Sequence, residues 1–281
     1  MTLLLRFLTT CALLTALSGC TMTITQATFF PDRLLVPPAV VLQVPQGYSA
    51  TSQLMDLDQL GKVRVVKLDN PKSQATLIYS AGNGGFVDSE SSSKMAKSFA
   101  ELTGADIILY DYPGRGGTTV PASIEAMVKF GPAFIDRLRN NGFIEDGPLY
   151  AYGLSFGGSV AASMARSGGF SGLIIEGSAA DYQAIGSDFV PSIARPFIRI
   201  RMDKALQQFD YFGYARASNV PILLLSGAKD TVIRPIRMKQ FAEQLTSKGA
   251  SVTLQVVPVG HGGALSSEKG REALQAFMRT P

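Results

Sequence analysis

The chain has 281 residues, of which 46% are hydrophobic and 17% charged. That much apolar surface can offset the entropy of ordering, which argues against disorder, and 28 glycines without a fixed period exclude a collagen-like chain. The formal net charge is only +4, with the charges scattered, so nucleic acid is not an expected partner.

From the start, Leu3 to Leu17 is an apolar run interrupted by Arg6 and threonines. It falls short of the roughly 20 apolar residues of a membrane span and has the layout of a secretory signal peptide. The run ends in Leu17-Ser18-Gly19-Cys20. This resembles a bacterial lipobox, which implies cleavage before Cys20 and diacylglycerol modification of its thiol. Thr21 follows; the absence of an aspartate there favours the periplasmic face of the outer membrane over the inner membrane. Residues 1–19 are then a leader and 20–30 a lipidated tether, reaching ~33 Å when extended. Several alkyl chains on one cysteine suffice for stable anchoring. With Cys11 in the leader and Cys20 lipidated, no thiol remains for a disulfide, a metal or a nucleophile. A single histidine excludes a multi-histidine metal site.

The remaining residues, 31–281, are expected to form one domain. Segments 51–58 and 62–68 read as two β-strands joined near Gly61, with Asn70-Pro71 as a turn. Short apolar strands then alternate with amphipathic helices. Strands are expected at 75–80, 107–110, 149–152, 173–175, 222–225 and 252–257. Helices are expected at 88–103, 121–139 with a kink at Pro132, 156–166, 235–247 and near the end of the chain. This pattern predicts an α/β fold, a mostly parallel central sheet with helices on both faces.

Gly153-Leu154-Ser155-Phe156-Gly157 stands between an expected strand and an expected helix. A serine on a strained strand-to-helix turn needs small neighbours two residues either side, which the glycines provide. The Phe156 N–H would then point to where an oxyanion develops. Asp230 and His261 follow the ends of two later strands, at the edge where parallel sheets carry their functional loops. Glycines 260, 262 and 263 flank the histidine. The order Ser155, Asp230, His261 suits a nucleophile, an orienting acid and a general base. Glu176 and Asp181 are alternative acids. A sole histidine implies an acidic limb of activity with the slope of one ionisation.

With these placements the chain resembles the α/β-hydrolases, in the branch of monoacylglycerol lipases, serine aminopeptidases and prolyl-oligopeptidase-like enzymes. The resemblance spans roughly residues 50–281 and includes Tyr110-Asp111-Tyr112-Pro113-Gly114-Arg115-Gly116, similar to the family's D-Y-x-G-x-G stretch. It implies a serine hydrolase needing no cofactor or metal, acting on the acyl bond of a small molecule or lipid. The family's usual His-Gly after the early strand is replaced here by Ala81-Gly82-Asn83-Gly84-Gly85. The N–H of Asn83 is the expected second oxyanion donor, beside that of Phe156. Residues 181–219 are expected to form a short cap of one or two helices. Phe189, Ile193 and Phe197 would wall an acyl pocket, with Arg195, Arg199 and Arg201 on a solvated helix face. Peptidase action and a non-catalytic binding module are the competing expectations.

Overall fold

The computed structural model describes residues 20–30 and 40–279. The expected leader, residues 1–19, lies outside the described residues. Eight strands build the main sheet: β2 (Ser49–Asp56), β3 (Lys62–Asp69), β4 (Thr76–Ser80), β5 (Asp106–Tyr110), β6 (Leu149–Leu154), β7 (Gly172–Glu176), β9 (Ile222–Gly227) and β10 (Val252–Val257). Their spatial order is β10-β9-β7-β6-β4-β5-β3-β2. The β2–β3 and β3–β5 pairings are antiparallel and all others are parallel. Residues such as Leu77, Ile78, Ile107, Ile108, Ile174 and Ile175 are wholly buried, as strands covered on both faces require.

One face of the sheet is covered by α1 (Glu90–Thr103) and α8 (Glu268–Arg279), and the other by α2 (Ile124–Asn140), α3 (Phe156–Ala165) and α7 (Pro235–Ser247). Every residue of α3 is buried, so its small side chains decide how closely it can approach its neighbours. A Cβ on Gly131 of α2 would come within 2.6 Å of Ser163 Oγ, showing how tightly the two helices cross. Pro132 lies inside α2 and cannot donate to the carbonyl four residues back. That carbonyl, on Val128, instead accepts from Arg166 Nη2 at 2.8 Å, at the end of α3. The proline's missing donor thus becomes a tie between α2 and α3.

Two expectations need correction. Residues 20–30 do not form an extended tether. Strand β1 (Cys20–Ile24) pairs in parallel with β8 (Ile198–Met202), Cys20 opposite Ile198 and Ile24 opposite Met202. A 3₁₀ turn then brings Phe29 and Phe30 into the core. The cap differs too. It consists of α4 (Tyr182–Asp188), a 3₁₀ turn, β8, α5 (Lys204–Gln207) and α6 (Tyr211–Ala217). Arg199 and Arg201 are on a strand rather than a helix face, with Ile198, Ile200 and Met202 turned inward.

Candidate active site

Ser155 occupies the turn from β6 into α3 with φ 55° and ψ −124°, a conformation that side chains rarely adopt. The surrounding residues enforce it. A Cβ on Gly157 would meet the Ser80 carbonyl oxygen at 2.0 Å, and one on Gly153 would meet that of Gly157 at 2.3 Å. Both clashes are with backbone, which cannot move aside. The Ser155 N–H donates to the Glu176 carbonyl at 2.9 Å, tying the turn to the end of β7.

The next residue, Gly177, contacts the other two candidates. A Cβ added to it would lie 3.2 Å from His261 Nδ1 and 3.3 Å from Asp230 Oδ2. Those two atoms are themselves 2.8 Å apart. Asp230 is buried, and its other oxygen accepts from the N–H groups of Val232 at 2.8 Å and Ile233 at 2.9 Å. Its orientation is therefore fixed by backbone. Ser155, Asp230 and His261 thus stand in three separate loops after the carboxyl ends of β6, β9 and β10, and of the three the hydrogen-bonded pair is Asp230 and His261.

The alternative acids serve elsewhere. Asp181 caps α4 by accepting from the Ala184 N–H at 2.8 Å. Glu176 is 2% exposed and accepts from Tyr152 Oη and from the Ala264 N–H, both at 2.6 Å. It fastens the loop that carries His261. Burial pushes the Glu176 carboxyl above the ordinary carboxylate range, opposed by these two donors and by His261. The folded state therefore holds this proton more tightly than the unfolded chain, and the associated stability is lost as pH rises through the folded value. Glu176→Gln lacks this titration. Wild type should melt progressively lower relative to the variant as pH rises from about 4 toward neutrality. Thermal melts at several pH values check this; a wild-type advantage that grows with pH would contradict it.

The Phe156 and Asn83 N–H groups have no partner among the described residues. Phe156 opens α3, so its N–H carries the positive end of the helix dipole. Its ring is 5.0 Å from that of Phe29 and 6.0 Å from that of Tyr112. The Asn83 loop lies beside the serine, since a Cβ on Gly82 would be 3.7 Å from that of Ser155. The D-Y-x-G-x-G stretch holds this loop. Asp111 accepts from the Val87 N–H at 2.9 Å, Tyr112 donates to the Ala81 carbonyl, and Arg115 donates to Asn83. In the sequence Tyr112 and Arg115 stand out only as members of the D-Y-x-G-x-G stretch and Glu176 only as an alternative acid, because the loops they hold lie far along the chain.

The acyl-pocket expectation is not met. Phe189, Ile193 and Phe197 are 63%, 84% and 55% exposed, and none of them lines the cavity next to the Asn83 loop. A cavity of about 520 Å³ is lined by Gly82, Met95, Leu154, Gly262 and Leu265, among others. Neither this cavity nor a larger hollow of about 740 Å³, between Val44, Tyr48 and α1, is lined by Ser155, Asp230 or His261 themselves. At the amino ends of the parallel strands, Asp69, Asp106 and Glu145 gather around the Lys67 ammonium, which supplies the positive charge of that cluster.

A family model described as the alpha/beta hydrolase family matches residues 82–220, from the Asn83 loop through the elbow to the end of the cap. The fold is that of the α/β-hydrolases. Esterase Pf2001 of Pyrococcus furiosus superposes with a TM-score of 0.66 at 16% identity, covering 86% of this chain and 98% of that one. Est1E of Butyrivibrio proteoclasticus, solved with ferulic acid bound, gives 0.61 at 16% identity, covering 81% and 98%. An acylaminoacyl peptidase of Pyrococcus horikoshii gives 0.59 at 15% identity, over 83% of this chain and 42% of that larger one.

Proposed function

We propose that this α/β-hydrolase-fold protein is a serine hydrolase that cleaves carboxylic esters through an acyl-enzyme. The observation that carries the reading is the strained Ser155 turn, tied through Glu176 and Gly177 to a hydrogen-bonded His261–Asp230 pair. A binding module has no need for such strain. In the proposed reaction His261 Nε2 takes the Ser155 proton as Oγ attacks the carbonyl carbon. Asp230 holds Nδ1–H and stabilises the imidazolium. The N–H groups of Phe156 and Asn83 receive the oxyanion. Collapse of the tetrahedral intermediate expels the alcohol, protonated by His261, and water then releases the acid by the same steps in reverse order.

Two of the structural neighbours are esterases and one is a peptidase, and all three share this fold. A partly apolar cavity of about 520 Å³ is lined by Leu154 and Gly262, the chain neighbours of Ser155 and His261, and its size suits a small acyl or alcohol group. Hydrolysis of p-nitrophenyl esters of graded chain length, measured beside aminoacyl-anilides, tests the reading. Turnover of short esters is expected; turnover of anilides alone would replace the esterase reading with a peptidase one.

The reading includes a lipid anchor at Cys20, supported by the Leu17-Ser18-Gly19-Cys20 motif and by the exposure of this cysteine. No helix of the described residues is long and apolar enough to cross a membrane. Because Cys20 opens β1 beside β8, the anchor holds the cap strand, with exposed Arg199 and Arg201, close to the headgroups of the outer membrane.

A further inference from the structure

Arg115 is 1% exposed and has no carboxylate partner among the described residues. A buried guanidinium is costly to desolvate, and burial lowers its proton affinity here. Its two terminal nitrogens donate to oxygens of two segments. Nη1 donates to the Asn83 carbonyl. Nη2 donates to Asn83 Oδ1 at 2.7 Å and to the Phe29 carbonyl at 2.6 Å. Nε is buried without a partner, so the side chain is committed to these contacts at the expense of its own satisfaction.

The loop it grips is one that needs holding. Gly82, Gly84 and Gly85 surround Asn83, and glycines leave a backbone free to wander. Asn83 offers the one side chain between Gly82 and Gly85, and Arg115 holds both its carbonyl and its amide oxygen. With those two oxygens held, the Cα–C and Cα–Cβ bonds of Asn83 are held, and with them the position of its backbone nitrogen. The N-terminal arm completes the arrangement. Asn83 Nδ2 donates to the Thr28 carbonyl at 3.0 Å, and the Phe29 ring packs on Phe156 and, at 5.3 Å, on Tyr182. Residues 28 and 29 therefore touch both expected oxyanion donors, while β1 fastens the same arm to the cap.

We propose that Arg115 is a positioning residue for the oxyanion hole, clamping the Asn83 loop to the N-terminal arm so that a seated arm aims the Asn83 N–H at the oxygen of the reacting carbonyl. The proposal rests on the serine-hydrolase reading. It makes the segment just after Cys20 a working part of the site rather than a tether.

The test uses full-length Arg115→Gln, Arg115→Lys and Asn83→Ala, the last keeping its backbone N–H while losing both side-chain contacts. Melting temperature, kcat and KM on p-nitrophenyl acetate, and inhibition by an aryl trifluoromethyl ketone, whose serine adduct carries the oxyanion, are measured for each. A misaimed donor lowers kcat by about tenfold to a hundredfold. KM should stay within about threefold, since the lost interaction is made in the transition state. Ketone affinity falls in parallel with kcat/KM. Arg115→Lys keeps the charge but cannot span three carbonyl oxygens, and it should recover little. Folded variants with wild-type kcat and ketone affinity overturn the clamp. If the Arg115 variants do not fold, Asn83→Ala decides alone by the same criteria. A folded wild type that neither hydrolyses the ester nor binds the ketone overturns the serine-hydrolase reading, and the clamp with it.

Discussion

Ser155→Ala is expected to lower ester turnover by about a million-fold, to the level left by binding and oxyanion contacts alone. The fold should survive. Alanine keeps the Cβ that already tolerates φ 55°, and no glycine in the elbow is altered. The turn is held by the Ser155 N–H on the Glu176 carbonyl and by the Gly158 N–H on the Ser155 carbonyl, both of which the variant keeps. The melting temperature should therefore stay within a few degrees, about the shift of 1 kcal/mol in a domain this size. Steady-state kinetics and a thermal melt on one preparation check both halves. Retained activity would remove Ser155 from the mechanism.

Asp230→Asn should lower kcat by about 10⁴-fold through the imidazole tautomer. The oxygen of Asp230 that accepts from Val232 and Ile233 must remain an oxygen, because both partners are backbone donors. The new amide nitrogen therefore faces His261 Nδ1, where the carboxylate oxygen stood at 2.8 Å. A donor there forces Nδ1 to accept and puts the ring proton on Nε2, which can no longer take a proton from serine. Asp181→Asn supplies the contrast, because asparagine caps helices as well as aspartate and activity should be unchanged. Loss of activity in Asp181→Asn but not Asp230→Asn, measured by kcat on the same ester, would reverse the assignment.

Much of this site is legible in the sequence because its physics is local. A nucleophile turn needs glycines at 153 and 157, and strand–loop punctuation places Asp230 and His261 at the same sheet edge. The parallel strands are equally plain, since burial on both faces leaves uninterrupted apolar runs such as Ile222 to Leu225. Other features depend on partners far away in the chain. Strand β1 pairs with residues about 180 positions later, and nothing within Cys20–Ile24 points to Ile198–Met202. The cap strand did carry a local signal. Ile198-Arg199-Ile200-Arg201-Met202 alternates with a period of two, which argues for a half-buried strand and against the helix face expected from its arginines. Phe189, Ile193 and Phe197 have helical spacing, but α4 ends at Asp188 and the chain then turns, leaving all three exposed. Arg115 is the least legible. Read along the chain it is one cation in a glycine-rich loop; its role emerges only when Asn83 and Phe29 are brought to it.

The central claim is that Ser155 is an activated nucleophile, and covalent labelling tests it most directly. The folded protein is treated with a fluorophosphonate and digested, and the modified residue is located by mass spectrometry. The account predicts a single phosphonylated site at Ser155, absent from Ser155→Ala and strongly suppressed in His261→Ala. A folded protein that stays unlabelled at Ser155, or takes the label on another serine, would contradict it.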